Sequence, residues 1–575
     1  MDPCSKARPS EASIKHIDFT VNCDLRSQTV YGRALYTYES NSASNIILDL
    51  NHIEIASCSN SFSIIDESPV FGKTLSITID NPKGTFSINY KTLSSATAIQ
   101  YLDPSQTSGK VLPFCFTQCQ AIHCRSLLPI QDTPQVKFTI DYHIHVTQEL
   151  TAVAGGIFQS VEDSIPGYKV YNFKQNIPIP SYLVAFAIGN IHSLDIGPVS
   201  KVYAEPELLD KSAFTFGDID ILLKAAEKLM TPYFWGRLDM IVLPPSFPFG
   251  GMENPNLIFV TPTVISGDKS LVNLLAHEIA HSWTGNAVTN STWEHFWLNE
   301  GFTTFFERKI VREVYGQPQA DIQQSNGLEC LRKSIGVYGE NHNFTRLNLD
   351  NDGYDPDDAF SSIPYEKGCC FLLYLESLVG ENELMSFLKD YVTKYTGKTI
   401  TSEEFKEYFI ERFTVNIDWD TWLRGTGMPP WLPTPNNTLL EIVNQAYSSI
   451  TEGNTNPSLV NGWCTEQYVS LLNLMLKNPK DDFIHAGELL NINLSQNAEI
   501  KVLWLDLTIR TKQEKYFYDV ENFLCSQGRM KFVRPLFRSL KELGFIDFAY
   551  KIFEKCRNFY HSTLVTLLSK EFNFQ

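Results

Sequence analysis

Residues 277–300 read HEIAHSWTGNAVTNSTWEHFWLNE, and the fold and chemistry of the chain turn on how that run is spaced. His277-Glu278-x-x-His281 is followed by 18 residues and then by Glu300, inside Trp297-Leu298-Asn299-Glu300-Gly301. The preceding Ser270-Leu-Val-Asn-Leu-Leu-Ala stretch reads as a helix that carries on through His281, so His277 and His281 fall one turn apart on one face. Two imidazoles and a carboxylate form the His2Glu donor set of a catalytic Zn2+, one per chain, with a fourth position open to water. Glu278 is not placed to be a ligand. It falls beside the open position, where a carboxylate can take a proton from that water. A structural helix with two His on its face by chance is the bland alternative; with 12 His in 575 residues it explains less.

Upstream, Gly250-Gly251-Met252-Glu253-Asn254 follows a strand-like Asp239–Leu243. Paired glycines let a substrate backbone come close and pair with the chain, and Glu253 beside them suits a free ammonium. An ordinary Gly-Gly turn with an exposed Glu fits the same residues equally well when they are read alone.

Further out, the first 190 or so residues read as β. Val136, Phe138, Ile140, Tyr142, Ile144 and Val146 alternate with polar residues at period two, the mark of a sheet with one buried face. Short strands recur at Asn45–Leu50, Leu75–Asp80 and Thr85–Tyr90, which implies an antiparallel sandwich or saddle. His143 and His145 share the polar face of the long strand, where exposed surface is a simpler reading than a second metal. From about residue 215 the pattern turns helical, beginning with Asp218–Met230. Gly425–Pro435 (GTGMPPWLPTP) reads as a linker, and Leu439–Gln575 as an apolar-striped helical bundle or solenoid. The expected architecture is multidomain α+β: an N-terminal β domain over 1–191, a mixed catalytic domain over 192–432 and a C-terminal helical domain over 433–575.

A hydrophobic fraction of 43% with 13% aromatics supplies ample core and excludes wholesale disorder. The net charge of -18 argues against nucleic acid as the main partner. MDPCSKARPSEASIKH lacks the apolar core of a signal peptide, and no later run approaches the ~18 apolar residues of a membrane span. The expected setting is the cytoplasm, with the nucleus open to it, and no membrane insertion. The 12 Cys have no CxxC pair; Cys115, Cys119 and Cys124, and the adjacent Cys369 and Cys370, are the closest groupings. In a reducing compartment all are expected to be free thiols.

Five blocks, in order along almost the whole chain, resemble the leukotriene A-4 hydrolase/aminopeptidase family of gluzincin zinc enzymes. They are Gln118–Arg125 (QCQAIHCR), Phe247–Pro255 with its GxMEN motif, the 277–300 run, Asp355–Gly368 (DPDDAFSSIPYEKG) and Gln527–Leu536 (QGRMKFVRPL). The resemblance implies an N-terminal β saddle, a thermolysin-like catalytic domain and a C-terminal helical solenoid around one deep cleft. It implies that Tyr365 hydrogen-bonds the oxyanion, a task that suits a neutral phenol. It places Glu253, Gln120 and Ala121 at the substrate's amino end and gives Arg529 and Lys531 the free carboxylate of a short peptide. Asp357 matches the residue that directs water in the family's epoxide hydrolases. Glu307, on the Glu300 face of its helix, could support a metal-binding His.

Three positions depart from the family. Phe360 and Phe249 stand where vertebrate members have Tyr, and Asp358 adds a carboxylate beside Asp357 where the family is apolar. A charge in a pocket built for a long apolar tail is costly. The expected activity is therefore zinc-dependent removal of N-terminal residues from short peptides, tripeptides above all, with a fatty-acid epoxide as a second substrate class at the same zinc. A primarily leukotriene-type epoxide hydrolase is the alternative, and a zinc endopeptidase is disfavoured by Glu253. The chain is expected to act as a monomer.

Overall fold

The computed structural model describes residues 2–41, 44–271, 273–350, 353–436 and 438–574. Burial along Lys137–Thr147 alternates without a break, with Phe138, Ile140, Tyr142, Ile144 and Val146 inside. This strand is third in a seven-stranded sheet whose order is Ile157–Asp163, Tyr168–Pro180, Lys137–Thr147, Ala12–Asp24, Thr29–Ser40, Lys83–Thr92, Ile53–Cys58. Its pairing with Ala12–Asp24 is parallel, where an all-antiparallel saddle was expected. Alternation tells which face is buried but not the direction of a partner far away in sequence. Smaller sheets of three and four strands cover the rest of this domain.

Arg125 ties the N-terminal domain together. It is 2% exposed and donates to the Asp132 carboxylate at 2.9 Å and to the carbonyls of Cys4 and Phe71 at 2.8 and 2.9 Å. That fixes the whole Gln118–Arg125 segment, which reappears below.

A five-stranded sheet follows, in the order His192–Asp195, Lys201–Ala204, Asp239–Val242, Leu257–Val260, Gly251–Met252. Of its strands the sequence pattern revealed only Asp239–Val242, because pieces of two to four residues are too short for a period to register. Gly251–Met252 lies at the edge, pairing antiparallel with Leu257–Val260 alone. Helix also begins earlier than expected, at Pro206–Phe216, where a proline opens the first turn.

The metal-motif helix spans Asn273–Ala280, and the His281 N–H still bonds the His277 carbonyl at 3.2 Å. Val272, within the helix expected from Ser270, lies outside the described residues, as does Gln575. Glu300 sits in the first turn of Trp297–Tyr315, which crosses Ile363–Val379, the helix that carries Tyr365. The crossing is backbone on backbone: a β-carbon on Gly301 would stand 2.7 Å from the Gly368 Cα. Only glycine at both positions allows that approach.

Helices from Thr438 to Phe572 enclose a separate core running from Val443 to Phe574. Gly425–Pro435 forms neither helix nor strand, and it is pinned. The buried Lys367 Nζ donates to the carbonyls of Thr345, Gly425 and Gly427 at 2.8–2.9 Å. Among the described residues no helix is long and apolar enough to cross a membrane.

The expectation of twelve free thiols is corrected at one pair. Cys525 and Cys556, on neighbouring helices, form a disulfide with their Cα atoms 5.6 Å apart. Their separation of 31 residues gave no motif, and only helix packing brings them within bridging distance.

Two substitutions separate glycine at the crossing from glycine in open helix. Gly301→Ala forces the helices apart and should cost about 1–3 kcal/mol in urea unfolding. Gly336→Ala, in Gln317–Tyr338 with nothing within 4 Å of the added carbon, should add about 0.5–1 kcal/mol. Equal effects would mean that the crossing is not held by backbone contact.

Candidate active site

Three electron-rich atoms converge between the motif helix and the Glu300 helix. His277 Nε2 and His281 Nε2 stand 3.2 Å apart, and Glu300 Oε2 lies 3.4 and 3.3 Å from them. Each ring's other nitrogen faces an acceptor: His277 Nδ1 meets Glu307 Oε2 at 3.0 Å, and His281 Nδ1 meets the Thr284 carbonyl at 2.9 Å. Those contacts put the proton of a neutral imidazole on Nδ1, so both Nε2 lone pairs point at the same spot. Glu300 Oε2 is buried without a hydrogen-bond partner. The set fits a divalent cation of the zinc class, bound by two imidazole nitrogens and a carboxylate. Glu307 reaches the ring it was expected to support. His143 is instead bonded to Asn172 at 2.6 Å, and among the described residues neither it nor His145 joins a metal-competent cluster.

Glu278 projects from the same helix and is 4% exposed. Burial raises its carboxyl to about 7, against the pull of the two imidazoles. A carboxylate poised there can accept and return a proton near neutral pH. Its position depends on Gly251, where a β-carbon would overlap the Glu278 carboxylate. Tyr365 stacks on the His277 ring with centroids 5.8 Å apart and lies edge-on to Phe296 and Phe360. Burial holds its phenol well above the ordinary value, with Glu300 adding to the effect, so it stays a hydrogen donor.

The Gly250–Asn254 segment divides into two roles. Gly251 is the open edge strand, and Glu253 turns into the site, 3.9 Å from His281 Nδ1. Glu253 Oε1 is buried with no hydrogen-bond partner, and so is Gln120 Nε2. The Met252 side chain packs into the N-terminal core, while Asn254 is 2% exposed and its Nδ2 is buried with no hydrogen-bond partner. Asn286, which no sequence signal picked out, holds the Glu253 carbonyl at 2.7 Å.

Beside Tyr365 is an apolar cavity lined by Phe249, Trp293, Phe296 and Phe360, with Gln120, Ala121 and Asp357 on its wall. Asp357 is not free there. His123 Nε2 meets its Oδ2 at 2.9 Å, while His123 Nδ1 meets Thr97 Oγ1 at 2.7 Å. His123 belongs to the same Gln118–Arg125 segment that Arg125 anchors. Asp358 corrects the sequence reading: it pairs with Lys570 at 2.7 Å and is not part of the lining. The added carboxylate faces the last helix, so it puts no charge in the cavity.

Arg529 and Lys531 come together as expected, but they are not bare cations. Glu499, in the first turn of Ala498–Arg510, meets Lys531 Nζ at 2.8 Å and Arg529 Nη1 at 3.3 Å. Arg529 is buried and its Nη2 lies close against Gly250, where a β-carbon would be 2.7 Å away.

Three family models match the chain: the Peptidase M1 N-terminal domain over residues 13–183, the Peptidase family M1 domain over 217–422, and the Leukotriene A4 hydrolase C-terminal domain over 463–572. Their succession agrees with the β, mixed, helical order read from pattern. Leukotriene A-4 hydrolase of Xenopus laevis is 37% identical, over 99% of this chain and 99% of its own. Leucine aminopeptidase 2 of Ajellomyces capsulatus is 38% identical, over 96% and 94%. Among solved structures, yeast LTA4 hydrolase in complex with bestatin superposes with a TM-score of 0.93 at 32% identity, covering 100% of this chain and 97% of its own.

If Glu307 fixes the His277 tautomer, Glu307→Ala should weaken metal binding by roughly 10- to 100-fold. Competition with a chelator of known affinity reads this directly. Unchanged metal affinity would leave Glu307 as a surface carboxylate.

Proposed function

The chain belongs to the M1 peptidase family, in its leukotriene A-4 hydrolase branch, and on that footing we propose a one-zinc aminopeptidase that removes the first residue from short peptides, tripeptides above all. The observation that carries the reading is Glu253: a carboxylate buried beside the metal position, with one oxygen lacking any hydrogen-bond partner. A buried anion of that kind calls for a cation, and the ammonium of a peptide N-terminus supplies one. The partnerless Gln120 Nε2 supports the same placement, as an amide aimed where a peptide carbonyl would lie.

His277, His281 and Glu300 would hold the zinc, which when bound supplies Lewis acidity to a carbonyl oxygen and makes water easier to deprotonate. Glu278 takes the proton of the attacking water on its carboxylate. It then passes that proton to the nitrogen of the departing amine, so the proton count closes. Tyr365, kept protonated by burial, donates its hydroxyl hydrogen to the oxygen that gains negative charge. The edge strand Gly251–Met252 offers backbone groups to an extended peptide. Arg529 and Lys531 receive the peptide's carboxylate, which favours chains short enough to place both ends.

A second reading, hydrolysis of a fatty-acid epoxide at the same zinc, is favoured by the apolar cavity that has Asp357 on its wall. Pairing of Asp358 with Lys570 removes the main objection to it. The working setting we propose is the cytoplasm.

Glu278→Gln should keep the metal and lose peptidase activity by roughly 10²- to 10⁴-fold. Metal analysis alongside the assay is decisive, since loss of zinc in this variant would make Glu278 a ligand. Acetylation of a peptide's N-terminus should abolish cleavage, because it removes a charge-assisted contact to Glu253 worth about 1.5–3 kcal/mol and adds an acetyl group that would clash there. Comparable rates on free and acetylated peptides would instead point to an endopeptidase.

A further inference from the structure

The Arg529–Lys531 pair holds a resident carboxylate, and its charge bears on which peptides the clamp accepts. Glu499 accepts from Lys531 Nζ with both oxygens, at 2.9 and 2.8 Å, and lies 3.3 Å from Arg529 Nη1. Burial works against its ionisation, yet Lys531 and Arg529 hold its carboxyl below the usual range, so it is an anion at neutral pH. Arg529 is far from saturated. Its Nη1 contacts to Glu499 and Thr263 are long, at 3.3 and 3.4 Å, and its Nε is buried with no hydrogen-bond partner. Its Nη2 lies against Gly250, next to the edge strand. The Arg529 side chain is 8% exposed and Glu499 19%, whereas Lys531 is 55% exposed.

Two cations and one fixed anion leave this cluster with a single positive charge. One incoming carboxylate brings it to neutrality and finds unused donors on Arg529. A second incoming carboxylate would lie in a poorly solvated spot beside Glu499 with no cation left to match it.

We propose that Glu499 is a specificity residue: it sets the clamp to accept one negative charge, so that peptides ending in a neutral residue are taken and peptides ending in Asp or Glu are rejected. This rests on the reading that Arg529 and Lys531 receive a peptide C-terminus. Glu499 touches the clamp and not the reacting atoms, so its effect falls on selectivity and KM.

The test compares kcat/KM on two tripeptides that differ only in a last residue of Asn or Asp, which are close in shape and differ by one charge. The enzyme should favour the Asn peptide by about tenfold or more. Glu499→Gln, which keeps the shape and removes the charge, should bring that ratio close to one, mainly through KM on the Asp peptide. Glu499→Asp, which keeps the charge, should preserve the preference. In the unsubstituted enzyme the ratio should also shrink as salt is raised, because added ions screen the repulsion between Glu499 and the second carboxylate; this arm does not depend on any variant folding. The proposal is overturned by an Asn-to-Asp ratio near one in the unsubstituted enzyme. It is equally overturned if Glu499→Gln lowers kcat/KM on both peptides alike, the sign of a mere prop. Failure of the underlying reading gives a different result: Arg529→Ala would then impair amide-capped and free-acid tripeptides equally, instead of costing the free acid at least about tenfold more.

Discussion

Two imidazole nitrogens and a carboxylate oxygen within 3.4 Å of each other, all held in a buried spot, form a donor set of the kind that binds a divalent cation. Much of the surrounding structure serves to keep these atoms together. Glu307 and the Thr284 carbonyl fix the two ring orientations. The Gly301–Gly368 contact lets the helix bearing Glu300 and the helix bearing Tyr365 share one side of the site. Gly251 leaves room for Glu278, so the edge strand and that carboxylate share one steric requirement. The glycine pair thus matters for what it makes room for as much as for its own backbone.

Charge of opposite sign lies against the two glycines, Glu278 at Gly251 and Arg529 at Gly250. Glu253, Glu278 and Glu300 crowd the metal position, and Arg529 with Lys531 gathers beyond Gly250. A molecule with an ammonium at one end and a carboxylate at the other matches both, which is a description of a short unblocked peptide. Each end is also unfinished in the protein alone, since Glu253 Oε1, Gln120 Nε2 and Arg529 Nε are all buried without partners. Asp357 differs from these. Its carboxylate is engaged by His123, whose other nitrogen meets Thr97, so it is held in place from the N-terminal domain by a segment that Arg125 anchors.

The two clearest differences between sequence and structure have a common origin. Asp358 looked like a charge in an apolar pocket because it adjoins Asp357, yet neighbours in a short turn can face opposite ways, and Lys570 lies on the other side. Cys525 and Cys556 looked like isolated thiols because nothing local links them. In each case the partner comes from a helix far away in the chain. Glu499 eluded the sequence for the same reason: an acidic residue in a helix's first turn is commonplace, and only packing sets it between Arg529 and Lys531.

The sequence by itself determined the chemistry. Two His one helical turn apart, a Glu between them and a second Glu after a fixed interval name a metal, its ligands and a base, because helical periodicity turns spacing into geometry. Period-two alternation likewise determined which face of the Lys137–Thr147 strand is buried. Only the tertiary structure decided strand direction, the edge position of Gly251–Met252, the disulfide, and the pairings of Asp357, Asp358, Arg529 and Lys531. Those depend on which surfaces meet across separations of tens to hundreds of residues, and the free energy that selects them comes from packing whole elements together. A local pattern carries the period of one element, and it cannot carry the identity of that element's neighbour.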